Sequence, residues 1–229
     1  MSSPITIISS MATRQLLADL VAEFQKTTAQ DVRVESVGGV DAAKRVLAGE
    51  AFDIVALASN AIAQLTDAGK IVPGSQVDLV QSGVAIAVRA GALRPDIGSE
   101  EAVKQAVLAA PSLSYSTGPS GVQLAKLFER WGIADEIRDR IVQAPPGVPV
   151  GKLVAEGQVA LGFQQLSEMM NLPGIDVLGP LPAEIQIITT FSAGLSVTST
   201  QPDAVRALLD FMVSPAVAEI KRRNGMEPG

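Results

Sequence analysis

Cysteine and histidine are both absent from this chain of 229 residues. Without cysteine there is no disulfide, no thiolate metal site and no thiol nucleophile. Without histidine there is no Ser-His-Asp triad, no imidazole base and none of the usual zinc sites. Any catalysis must run on Asp, Glu, Lys, Tyr, Ser or backbone dipoles, and no cofactor or metal is expected. Aromatic residues make up 3%, with one Trp and one Tyr. That is too few for a stacked sugar site or a single-strand nucleic-acid platform. Basic residues number 18 against 24 acidic ones, a formal charge of −6. Nucleic acid is therefore not the default partner, because phosphate binding needs a basic face. No apolar run reaches the ~18 residues of a membrane span, so no membrane insertion is expected.

What is present is core. Hydrophobic residues are 47%, charged residues 18%, and mean hydropathy is +0.30, a globular composition with enough apolar surface for one compact domain or two small lobes. The opening Met1-Ser2-Ser3-Pro4 leads straight into the apolar Ile5–Ile8. It has neither a basic n-region nor a long apolar h-region. The expectation is a cytoplasmic protein, or a periplasmic one from which a signal has been removed.

Short apolar runs alternate with amphipathic stretches, the pattern of an α/β fold. Ile5–Ile8, Val32–Ser36 and Asp53–Ala58 read as strands. Leu16, Leu17, Leu20, Val21 and Phe24 recur at helical spacing, and a short helix is expected over Asp41–Ala48. Asn60 is placed to cap the next helix, and Ser99 before Glu100-Glu101 to cap a later one. Further strands are expected at Leu113–Ser116 and Val159–Phe163, with helices running to Trp131, near Asp135–Ile141 and near Val150–Glu156. Pro202 marks the start of a helix buried through Val205, Leu208, Leu209 and Met212. Pro215–Arg223 reads as a last short helix, with Lys221-Arg222-Arg223 as surface charge. Two long extended stretches, 79–88 and 185–197, bracket a middle portion. Residues 1–82 with 190–229 would form one lobe and 83–189 the other. The two stretches would be crossing strands, with a ligand cleft between the lobes.

Small polar residues fall where strands should end and helices begin: Ser9 and Ser10, Gly38-Gly39, Ala58-Ser59, and the run Ser116, Thr117, Gly118, Pro119, Ser120, Gly121. Ligands of parallel α/β sheets bind outside the carboxyl ends of the strands, where helix N-termini favour anions. Strand-to-helix turns also require such residues for their own geometry. Arg14 and Lys44, with Arg45, lie in the helices that follow and are candidate charge partners for a small anion. Gln164 and Gln165 follow the strand at Val159–Phe163 and can hydrogen-bond a carboxylate or hydroxyl. Glu168 with Met169 and Met170 reads as helix surface and helix core. Gly38-Gly39 is too short for a phosphate fingerprint, and no Walker or Rossmann motif occurs.

These residues resemble a family. Ile5–Phe24, Val46–Ala58, Ser116–Gly132, Leu153–Phe163 and Ala204–Gly225 are similar to the type II periplasmic binding proteins, nearest the molybdate-binding proteins of ABC transporters. The closing Leu-Leu-Asp-Phe-Met-Val-Ser-Pro-Ala-Val-Ala-Glu-Ile looks like the end of that superfamily. The resemblance implies two Rossmann-like lobes, a small anionic ligand and an ABC transporter permease as partner. The matches stop at the ligand. The two hydroxyl positions of the molybdate binders fall on Ala12 and on Gly38–Val40, and their tyrosine falls on Gln165. Only the backbone donor near Ala58 is kept. Each lost charge-assisted bond costs roughly 1.5–3 kcal/mol, so the expected ligand is an organic anion, a carboxylate, and not molybdate. The same fold branch contains aconitate isomerase, which implies an alternative: a cofactor-independent isomerase that moves a double bond by proton transfer. Its base would be Asp41, Lys44 or Glu168. The residues expected at the ligand are Ser9, Ser10, Arg14, Lys44, Ala58, Ser59, Ser116, Thr117, Ser120, Gln164 and Gln165.

Overall fold

The computed structural model describes residues 3–144 and 147–229; Met1 and Ser2 of the leading segment lie outside them. The chain divides into two compact units, residues 1–82 with 190–229, and residues 83–189. In chain order it forms β1 (Ile5–Ser10), α1 (Arg14–Phe24), β2 (Val32–Val37), α2 (Gly39–Leu47), β3 (Ile54–Ala58) and α3 (Ser59–Asp67). The long strand β4 (Val77–Arg89) carries the chain from the first unit into the second. There follow α4 (Glu100–Ala109), β5 (Leu113–Tyr115), α5 (Pro119–Arg130), α6 (Ala134–Ile137), α7 (Val150–Ala155), β6 (Leu161–Gln165), α8 (Leu166–Met169) and β7 (Ile175–Pro180). Strand β8 (Ile188–Leu195) returns to the first unit, which closes with α9 (Pro202–Val213), α10 (Ala218–Arg223) and β9 (Glu227–Pro228).

In the first unit β1 lies between β2 and β3, parallel to both, and β8 runs antiparallel to β3. Both faces of this sheet are covered, so its strands are apolar on both sides. Ile5 and Ile7 pack with α1 and α9, whereas Ile8 packs with Val46, Ile62 and Leu65 of the opposite layer. β3 divides in the same way: Ile54 and Ala56 join the first cluster, Val55 and Leu57 the second. In the second unit β6 lies between β5, to which it is parallel, and β4, to which it is antiparallel. Val84, Ile86 and Val88 of β4 face Phe128 and Phe163, and Ala85 and Ala87 face α7. Burying each large apolar side chain contributes about 1.5–3 kcal/mol, which is why these alternating rows fix the register.

Several expected boundaries move. The strand near 159 begins at Leu161 and includes Gln164 and Gln165 instead of ending before them. Asn60 does not cap α3: the helix starts at Ser59 and Ala58 is its N-cap. Ser99 does cap α4, accepting from Ala102 N at 3.2 Å. The helix expected over Asp135–Ile141 is shorter, continued by a 3-10 turn at Arg138–Arg140. Pro215–Val217 is likewise a 3-10 turn ahead of α10. Lys221 is not surface charge. It is 2% exposed because α10 packs on α1 and β9, and burial lowers its pKa from the ordinary lysine value. Arg222 and Arg223 do face solvent. Among the described residues no helix is long and apolar enough to cross a membrane.

Candidate functional site

In the first unit the carboxyl ends of β1 and β3 lie side by side, with Ser9 opposite Ala56. This register brings Ser9, Ser10, Ala58 and Ser59 to one edge. Ser9 is fully buried and its Oγ lies 2.7 Å from Ser36 Oγ on β2. Ser10 is 7% exposed, and its Oγ is buried without a hydrogen-bond partner. A buried hydroxyl left unpaired is uncommon and costs stability. Ser10 abuts the start of α2: a Cβ placed on Gly39 would lie 3.6 Å from Ser10 Cβ.

The helices at this edge lack side-chain caps. Gly38 is the N-cap of α2 and Ala58 that of α3, and neither donates a side-chain acceptor to the first turn. The first N–H groups of a helix have no intrahelical partner. Here the cap residues leave them for water or a ligand, whereas in the second unit α4 is capped by Ser99.

The candidate cations fare differently. Arg14 opens α1 and is exposed. Lys44 lies in the last turn of α2, because that helix starts at Gly39, so it complements the helix dipole and is not beside the N-terminus. Arg45 is committed elsewhere: it binds Glu35 at 2.6 Å and Glu50, and its guanidinium lies 5.4 Å from the Phe52 ring centroid. The Arg45 hydrogen bonds hold both Glu35 and Glu50 below the usual carboxylate range. Asp41 is exposed in the first turn of α2.

In the second unit β5 and β6 run parallel, Tyr115 opposite Phe163, so their carboxyl ends share an edge. The chain leaving β5 turns through Ser116 and Thr117 into α5, whose N-cap is Gly118, again without a side-chain cap. Ser116 Oγ and Ser120 Oγ lie 3.1 Å apart, and Thr117 is exposed. On β6, Gln164 and Gln165 point to opposite faces, as neighbours on a strand must. Gln165 is 3% exposed and its Nε2 donates to Thr189 Oγ1 at 2.9 Å. Gln164 is 5% exposed; its Oε1 accepts from Gly151 N at 3.2 Å and its Nε2 donates to Glu168 Oε1 at 2.8 Å.

Glu168 is the residue whose state the sequence hid. It is partly buried, not a surface residue of α8. Burial pushes its carboxyl up to about 7, against the opposing hydrogen bond from Gln164. The signal available in the sequence was the four-residue spacing from Gln164 to Glu168. Among the described residues no group of His, Cys, Asp and Glu side chains could hold a metal ion.

A family model described as bacterial extracellular solute-binding protein matches residues 5–227. An aconitate isomerase from a Pseudomonas species is 34% identical over 230 residues, covering 98% of this chain and 87% of that protein. Among solved structures, the periplasmic molybdate-binding protein of Azotobacter vinelandii superposes with a TM-score of 0.81 at 17% identity, covering 97% of this chain and 98% of that one. The sulfate-binding protein SubI of Mycobacterium tuberculosis gives 0.80 at 14% identity, over 99% and 87%. At these identities the structural likeness speaks for the fold alone, that of the two-lobed periplasmic binding proteins.

Proposed function

The chain belongs to the bacterial extracellular solute-binding proteins, and from that premise we propose that it binds a small organic anion, a carboxylate, at the strand ends described above. The observation that carries this reading is Ser10. A hydroxyl buried without a partner, set against the uncapped N-terminus of α2, is an unfilled donor facing a region of positive potential. Within the first unit Ser9, Ala58 and Ser59 supply further polar groups at that edge, with Arg14 as an exposed cation; within the second unit Ser116, Thr117, Ser120 and Gln165 do so at the ends of β5 and β6. The absence of hydroxyls at Gly38, Gly39 and Val40 favours a carboxylate over a tetrahedral oxyanion such as molybdate. On the pure binding reading the partner is the permease of an ABC-type uptake system and the compartment is the periplasm.

Titration calorimetry with trans-aconitate, cis-aconitate and molybdate tests this. Ser10→Ala should weaken carboxylate binding by about 10-fold or more, the worth of one charge-assisted bond. Its thermal stability should be unchanged or slightly higher, because the hydroxyl it removes is unpaired. Undiminished affinity in Ser10→Ala would remove the anchor of this proposal, and tight molybdate binding by the parent would replace the ligand class.

A second reading adds chemistry to binding: interconversion of aconitate isomers. It is favoured by the 34% identity to an aconitate isomerase across 98% of this chain, twice the identity to the molybdate binder of known structure. Such a reaction breaks a C–H bond on a methylene flanked by a carboxylate and an alkene. It returns a proton to the far carbon of the alkene, moving the double bond by one position without redox change. It needs a base of matched pKa and no metal.

A further inference from the structure

Resting on that second reading, we propose that Glu168 is the proton-transfer residue, its carboxylate taking the methylene proton of a bound unsaturated tricarboxylate and returning it to the far alkene carbon. Its place in the fold carries the assignment. α8 follows β6 directly, so Glu168 stands at the same strand-end edge as Ser116 and Ser120. One carboxyl oxygen is held: Gln164 Nε2 donates to Oε1 at 2.8 Å, and Gln164 is itself anchored by Gly151 N at 3.2 Å. The other oxygen, Oε2, has no partner among the described residues and is left to act. Gln164 is thereby a positioning residue, buried on the strand face that packs on α7.

The charged groups on the neighbouring elements are engaged elsewhere. Lys152 of α7 lies 3.8 Å from Glu156, and Asp176 of β7 accepts from Gly91 N. Among the described residues no ion pair holds Glu168 ionised, and desolvation raises its basicity against the Gln164 hydrogen bond. A carboxyl poised near neutrality can both accept and return a proton, which an exposed carboxylate does poorly. Of the other candidate bases, Asp41 is exposed and Lys44 sits in the last turn of its helix.

In the step, the C–H bond breaks as the Oε2–H bond forms, and the electron pair spreads over three carbons into the flanking carboxylate. The Oε2–H bond then breaks as a C–H bond forms two carbons away. Atoms and charge balance, and the residue ends as it began.

The test is proton NMR of the full chain with cis- and trans-aconitate, in water and in deuterium oxide. The parent should interconvert the isomers, with a rate that rises with pH through about 7 as the carboxyl ionises. Glu168→Gln should lose at least about 100-fold in rate while binding trans-aconitate within about threefold of the parent. Gln164→Met removes the bond that stabilises the ionised form, so the rising limb should move to higher pH. This second variant decides the matter if Glu168→Gln does not fold. An active parent with an active Glu168→Gln variant and an unmoved limb overturns the assignment and leaves the isomerase reading standing. A parent that binds aconitate but exchanges no proton overturns the isomerase reading, and the assignment with it.

Discussion

Gly121→Ala should lower the melting temperature by about 6–12 °C, a cost of about 3 kcal/mol at about 2–4 °C per kcal/mol for a chain of this size. Gly121 is in the first turn of α5, pressed on the chain that has just left β5. A Cβ there would overlap the Ser116 carbonyl oxygen outright, lie 2.7 Å from the Ser116 carbonyl carbon and 3.2 Å from Tyr115 Cδ2. The obstacle is backbone, which cannot rotate aside as a side chain would. To admit one methyl group the turn must open, displacing Ser116, Thr117 and Ser120 together, so ligand affinity should fall along with stability. Gly39→Ala is the control. Its Cβ would meet only Ser10 Cβ at 3.6 Å, an ordinary contact, and it should melt within about 2 °C of the parent. Differential scanning calorimetry of the two variants checks the pair. A Gly121→Ala protein melting beside the parent would mean that the turn is looser than this packing requires.

That turn was legible in the sequence as a polar strand-to-helix junction, but the demand for glycine at 121 was not. The difference is general to this chain. Strands buried on both faces announce themselves as apolar runs, and β1, β3 and β4 do so because helices cover both sides of their sheets. The apolar stripe of α9 was equally plain. Strand β6 was misplaced because Gln164 and Gln165 look like loop residues. They belong to the strand because their amides are satisfied inside the protein, by Gly151, Glu168 and Thr189. Strand β7 gave no expectation at all: it is only partly buried, carries Asp176, and ends Gly179-Pro180. The candidate site follows the same division. Which residues stand at strand ends can be read from pattern. Whether a hydroxyl such as that of Ser10 finds a partner depends on neighbours distant in sequence. So does the state of Glu168, which spacing places on a helix and only packing desolvates.

Asp53→Ala should cost about 2–4 kcal/mol at neutral pH and remove part of the acid sensitivity of the protein. Asp53 is 8% exposed and stands just before β3. Its Oδ2 accepts from Thr6 N at 2.9 Å and Thr6 Oγ1 at 3.0 Å, and its Oδ1 accepts from Ser199 Oγ at 2.6 Å. One carboxylate thus ties the start of β1 to the segment that follows β8. Burial by itself would raise the pKa of this group. The hydrogen bonds from Ser199 and Thr6, with one from Gln201, outweigh burial and hold it below the usual aspartate value. A carboxyl depressed in the folded state stabilises fully above its unfolded pKa of about 3.9, and that contribution is lost as pH falls through the lower folded value. The melting-temperature gap between parent and Asp53→Ala should therefore be constant above about pH 5 and narrow as the medium is acidified below about pH 4. Asp53→Asn separates charge from shape. Its amide oxygen can still accept from Thr6 N, and the Ser199 hydroxyl can rotate to accept from the new NH2 group. The cost should then be about half that of alanine, with the same loss of acid dependence. Equal costs for the two variants at every pH would show that the site works as packing and not as a carboxylate holding hydrogen-bond donors.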